Sequence, residues 1–186
     1  MALLHTPQKQ ENFYAPDFSL KNVDGRTLTL ADIKGKNGTL VMFICNHCPY
    51  VKGIMDRLPQ TAKALQEKGI GVAAIMANDT ENYPDDSFDN MKKFAKAHKF
   101  TFPYLIDETQ ETAKAYGAVC TPDFFGFDRN GVLQYRGRLD SSGKDPANPQ
   151  TKPELLEAMT QIAQTGRGPA QQTSSMGCSI KWRDGA

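Results

Sequence analysis

The chain has 186 residues, 39% of them apolar, which suits one globular domain of roughly 100–200 residues with its own core. Its 22 Lys and Arg against 21 Asp and Glu leave a net charge of +1, without the basic stripe that sequence-independent nucleic-acid binding needs. The longest apolar runs, at residues 40–45 and 70–77, fall far short of the ~18 residues of a bilayer span, so neither nucleic acid nor membrane is expected as a partner.

Residues 15–20 and 27–30 alternate apolar and polar on either side of Asp24-Gly25, the pattern of a β-hairpin. Asp32-Ile33-Lys34-Gly35 reads as a short helical turn, and residues 39–44 form the unbroken β-prone run of a strand buried on both faces. After a break over residues 45–49, Ile54, Leu58, Ala62 and Leu65 give helical spacing to residues 50–68. Pro59 is expected to kink that helix and Gly69 to stop it. Residues 71–77 predict a second buried strand, 87–98 a helix, 102–106 a third strand and 109–116 a short helix ended by Gly117. Residues 123–127 and 132–136 flank Asp128-Arg129-Asn130-Gly131, a second hairpin signal, and residues 153–164 predict a helix with Pro153 in its first turn. The order predicts an α/β fold: a central mixed β-sheet flanked by helices, with an N-terminal β-hairpin. Residues 1–165 make the domain; residues 166–186 lack periodicity and form a C-terminal tail packing on it.

The first eight residues, Met1-Ala2-Leu3-Leu4-His5-Thr6-Pro7-Gln8, show no basic region, long apolar run or cleavage site, which predicts a cytoplasmic, reducing compartment. There, Cys45-Asn46-His47-Cys48 points to redox chemistry or metal before scaffolding. Cys48 falls where a buried strand meets a helix, and the unpaired N–H groups and positive dipole end of that helix favour thiolate over a thiol of pKa about 8.5. His47 and Lys52 add positive charge. Cys45 can close a small-loop disulfide with Cys48, as a redox pair does, or simply end the strand as a small hydrophobe. Cys178, Ile180 and Trp182 point one way if the tail is extended, giving a docked strand with a buried Cys beside the Trp. Alternatively Cys178 is a resolving thiol, since roughly 12 linker residues at ~3.3 Å each reach across such a domain. Zinc or copper on Cys45, His47 and Cys48 is a third reading, but a closed zinc site takes four ligands and no second C-x-x-C or H-x-x-x-H is present. Asp85, Asp86 and Asp89 read as solvated charge at a helix start. With no G-x-G-x-x-G after a strand and no phosphate loop, no organic cofactor is expected.

Together with Ala15-Pro16-Asp17-Phe18, Asp24-Gly25, Val119-Cys120-Thr121-Pro122, Phe124-Phe125 and Asn130-Gly131, these residues resemble the thioredoxin-fold redoxins, the alkyl hydroperoxide reductase and thiol-specific antioxidant superfamily, over residues 12–165. The resemblance implies a thioredoxin-like fold and a thiol–disulfide oxidoreductase in which Cys48 attacks and Cys45 or Cys178 resolves. Counting from Phe43 without a gap, Cys48-Pro49-Tyr50-Val51 falls on the family's C-x-x-C. The other registration takes Cys45-Asn46-His47-Cys48 as the motif and shortens the loop by three residues; the first leaves strand and helix undistorted. Pro122 stands where the fold puts a cis-proline beside the active cysteine, so Thr121 and Pro122, with His47, are the implied substrate contacts. Cys120 occupies a place where some thioredoxins carry an exposed, modifiable cysteine. Met42 replaces a buried acid, His47 replaces a tryptophan, and the peroxiredoxin P-x-x-x-T-x-x-C lacks its proline and threonine. The alternative activity is that of a peroxiredoxin-like antioxidant reducing hydroperoxides through a Cys48 sulfenic acid, with Arg136 or Arg138 near the sulfur. The implied partners are a protein or small-molecule disulfide, or a hydroperoxide, and a thiol reductant.

Overall fold

The computed structural model describes residues 2–184. In chain order they form β1 (Leu3–His5), β2 (Ser19–Asn22), β3 (Thr27–Thr29), α1 (Leu30–Ile33), β4 (Gly38–Phe43), α2 (Pro49–Lys52), α3 (Leu58–Glu67) and β5 (Ile70–Met76). A 3-10 turn at Pro84–Asp86 leads to α4 (Phe88–Ala97), β6 (Tyr104–Ile106), α5 (Glu111–Tyr116), β7 (Cys120–Thr121), β8 (Asp123–Phe127), β9 (Leu133–Tyr135), α6 (Glu154–Thr165) and β10 (Met176–Ser179).

The apolar run at β4 is buried throughout, and its alternation feeds two cores. Leu40 and Met42 pack with residues of α3, α4 and α6 on one face, while Val41 and Phe43 pack with α1 and α5 on the other. Parallel pairing of β4 with β5 and β5 with β6, and antiparallel pairing of β4 with β8, give a seven-stranded mixed sheet in the order β3-β2-β6-β5-β4-β8-β9. The expected N-terminal hairpin is β2–β3, with Leu20 opposite Leu28. This is the thioredoxin-like architecture that the sequence implied.

Three local features differ from expectation. The helix over residues 50–68 is two helices, and Pro59 lies in the first turn of α3, where its missing N–H has no intrahelical partner to lose. It therefore starts a helix rather than kinking one. β1, which has no visible periodicity, joins β10 and β7 in a second, three-stranded antiparallel sheet. In the tail, Cys178 and Ile180 are buried but Trp182 is 39% exposed, because regular strand geometry ends at Ser179. Among the described residues no helix is long and apolar enough to cross a membrane.

Candidate active site

Cys48 is the N-cap of α2, so its sulfur sits at the strand-to-helix junction, as the ungapped registration requires. The thiol is pulled down to about 4, first by a hydrogen bond from the Cys45 thiol; burial opposes this, and hydrogen bonds from Cys178 and Thr121 add to it. Cys45 is pushed far up for the reciprocal reason, reinforced by its burial and by the charge of Asp86.

The tail completes the site. Sγ of Cys178 lies 3.0 Å from Sγ of Cys48, about 1 Å beyond bonding distance. Burial first, and then the hydrogen bond it shares with Cys48, push Cys178 up to about 12. The Thr121 carbonyl oxygen is 3.2 Å from the Cys48 sulfur, and Thr121 Oγ1 is 3.4 Å from Cys45 Sγ. The Thr121–Pro122 peptide is cis. Cys45, Cys48, Cys178 and Thr121 therefore lie together, with Pro122 next in the chain. All four cysteines of the chain are free thiols, and all are buried.

His47 is fixed from outside the loop. Its Nδ1 is 2.7 Å from Oδ2 of Asp86, and its ring stacks on Tyr83 at 5.9 Å between centroids. Asp86 is not solvated, as its place in an acidic run suggested, but 0% exposed. Its Oδ1 accepts the Asn46 N–H at 2.7 Å and its Oδ2 the Asn78 side-chain amide at 2.8 Å. Asn46 is held in turn by Tyr104, whose hydroxyl donates to Asn46 Oδ1 at 2.9 Å. The segment between the two cysteines is thus anchored to a turn some 40 residues later, a partnership that spacing in the sequence could not disclose. His47 Nε2 is buried and has no hydrogen-bond partner. Replacing Asp86 by Asn, which removes the charge that these donors face, is expected to cost about 1–3 kcal/mol. Thermal unfolding measures this, and an unchanged midpoint would mean the network carries no stability.

One donor atom each from Cys45, His47 and Asp86 lies within 4.8 Å of the others, a possible metal grouping. Both Asp86 oxygens are already engaged by Asn46, Asn78 and His47, and three donors fall short of a closed zinc set. The group reads as a hydrogen-bonded support for the loop.

The remaining candidates sit apart from the sulfur pair. Cys120 is fully buried, not exposed, and burial drives its thiol strongly upward. Arg136 is not an exposed strand-end cation: it is 6% exposed and pairs with Asp123 at 2.9 Å. Arg138 pairs with Glu154 at 2.7 Å. A cavity of about 240 Å³ bordered by Tyr50, Ile54, Pro122, Phe124, Leu139 and Met176 lies between α2 and the tail.

A model of the AhpC/TSA family matches residues 13–136. A crystal structure of an uncharacterized conserved protein from Geobacillus kaustophilus is 45% identical, with a TM-score of 0.93, covering 100% of this chain and 99% of that one. Thioredoxin-like protein YneN of Bacillus subtilis (strain 168) is 33% identical over 125 residues, 67% of this chain and 69% of that protein. Thiol-disulfide oxidoreductase ResA of Bacillus thuringiensis subsp. konkukian (strain 97-27) is 27% identical over 150 residues, 80% of this chain and 76% of that protein.

Proposed function

The chain belongs to the AhpC/TSA family, and on that footing we propose that it is a thiol–disulfide oxidoreductase with Cys48 as nucleophile and Cys178 as resolving thiol. The observation that carries this reading is the 3.0 Å approach of a stabilised thiolate and a second thiol. Residues 1–165 are then the redox domain and residues 166–186 its resolving arm.

The Cys48 thiolate attacks one sulfur of a substrate disulfide, forming a Cys48–substrate bond and expelling the other sulfur as thiolate. Cys178 gives up its proton and attacks the Cys48 sulfur; the Cys48–Cys178 bond forms and the second substrate sulfur leaves as thiol. The substrate disulfide gains two electrons, and the enzyme dithiol loses them. A thiol reductant reopens the bridge, and we place the cycle in the cytoplasm, where such reductants are abundant. We assign the substrate contacts beside the sulfur to Thr121, Pro122 and His47.

Cys178 suits the resolving role better than Cys45. When Cys48 becomes a neutral disulfide, the hydrogen bond that raises either partner's pKa disappears. Cys45 still faces the Asp86 carboxylate, whereas Cys178 has the Lys181 ammonium nearby, which favours its thiolate. The two arginines that a peroxidase reading would recruit are engaged with Asp123 and Glu154.

A non-reducing peptide mass map after one equivalent of hydrogen peroxide should show a Cys48–Cys178 bridge. A Cys45–Cys48 bridge would reassign the resolving thiol, and four unreacted thiols would remove the redox reading. Thiolate ultraviolet absorbance should titrate for Cys48 near the value of about 4. Cys45→Ala removes the leading donor, so the midpoint should move to higher pH; an unmoved midpoint would deny Cys45 that part.

A further inference from the structure

Ile54, Phe124 and Leu139, all buried, line the 240 Å³ cavity between α2 and the tail, and Tyr50, Pro122 and Met176 complete its apolar wall. Among the described residues no carboxylate borders it. Besides the exposed His5 imidazole, two cations do. Arg138 is already paired, donating Nε at 2.9 Å and Nη2 at 2.7 Å to Glu154. Lys144 is met by an aromatic face instead of an acid: its Nζ lies 5.4 Å from the centroid of the Tyr50 ring.

The loop that carries Lys144 is fixed on both sides. Arg57 Nη2 donates to the Gly143 carbonyl at 2.6 Å and to the Asp145 carbonyl at 3.1 Å, and its Nε pairs with Asp140. The Lys144 carbonyl comes so near Gly53 that a Cβ there would overlap its oxygen and stand 3.1 Å from its carbon. The opposite wall is equally settled. Ser175 Oγ donates to the Pro122 carbonyl at 2.8 Å, and the Ser175 N–H donates to Thr6 Oγ1 at 3.0 Å. An anchored backbone thus presents one uncompensated positive charge beside an apolar cavity.

We infer that this cavity is a binding site for a small apolar monocarboxylate, with its body among the apolar side chains and its carboxylate on Lys144. The lining calls for the apolar body, and the one cation without an acid calls for a single negative charge. An apolar cavity of about 150 Å³ holds benzene, so one of 240 Å³ suits a body of about ten non-hydrogen atoms. The contact between Lys144 and Tyr50 is weak where water reaches it, so a carboxylate competes for the same ammonium. The ligand enters with the tail in place, and the site does not depend on the oxidoreductase reading.

The test titrates 3-phenylpropionate into the full reduced chain, with its neutral amide as the isosteric control. The acid should bind with a Kd below about 1 mM, and the amide about tenfold or more weakly. Lys144→Gln, a change on the exposed loop, should weaken the acid about tenfold and leave the amide as it was. The methyl resonances of Ile54, Leu139 and Met176 should shift on binding, because the ring lies against them. Leu139→Phe, which extends a ring into the cavity, should weaken both ligands about tenfold or more; Met176→Trp, at a more exposed position, serves should that variant not fold. A Kd for the acid above about 1 mM, equal affinities for acid and amide, an acid affinity unmoved by Lys144→Gln, or methyl shifts confined to residues outside the cavity would each overturn the inference.

Discussion

Replacing Cys48 by serine is expected to lower disulfide turnover by roughly three orders of magnitude or more, to the uncatalysed background. A serine hydroxyl at the same N-cap position remains protonated, so the donation from Cys45 and Cys178 that stabilises the thiolate has no anion to act on. The loss should be confined to chemistry, because the serine is nearly isosteric and the unfolding midpoint should stay close to that of the parent chain. Cys120→Ala is the matching control: that thiol is buried against Pro122 and takes no part in the sulfur pair, so turnover should persist. Retained turnover in the Cys48 variant, measured as exchange with a chromogenic aromatic disulfide, would sink the assignment.

The largest effect on stability should come from Arg136→Met. Asp123 has none of its surface exposed, and Arg136 donates to it through Nη2 at 2.9 Å and Nε at 3.3 Å. Arg136 also donates to the Gly117 carbonyl at 2.8 Å, and its guanidinium lies 4.4 Å from the Phe125 ring. Removing one member of a buried ion pair strands the other, at about 3–5 kcal/mol. At about 2–4 °C per kcal/mol for a chain of this size, the midpoint should fall by roughly 6–20 °C. Burial already pushes the Asp123 carboxyl upward against the opposing pull of Arg136. Without the arginine its pKa rises further, and a group with a raised folded pKa destabilises at pH values above it. The deficit should therefore be greatest at neutral pH and shrink as acid protonates Asp123. A deficit below about 1 kcal/mol at pH 7, or one that grows in acid, would contradict the pairing. Asp123 also accepts the Val119 N–H at 3.3 Å, so the same pair steadies the segment that carries Thr121 to the sulfurs.

The elements legible in the sequence were those with local causes. Alternation around Asp24-Gly25 yields the β2–β3 hairpin, the continuous apolar run yields β4, and Gly117 ends α5 with a left-handed φ of 64°. The place of Cys48 was legible too, because a strand-to-helix junction is a local event. What stayed hidden depends on partners far away in the chain. His47 meets Asp86 across 39 residues, and Cys48 meets Cys178 across 130. No periodicity distinguishes an acid turned inward from its solvated neighbours Asp85 and Asp89. Nor does a short, exposed Leu3-Leu4-His5 segment announce a strand, since its pairing partner lies at the other end of the chain.

That pairing ties the fates of the two chain ends together. β10 is the middle member of its small sheet and β1 an edge that bonds to it, so withdrawing β10 breaks both ladders at once. The first and last strands should then open as one cooperative unit, with residues 3–5 exchanging their amide protons at the rate set by residues 176–179. It follows that shortening the chain ahead of Thr6, or loading a bulky fusion onto that end, would alter the reactivity of a sulfur some 40 residues further on.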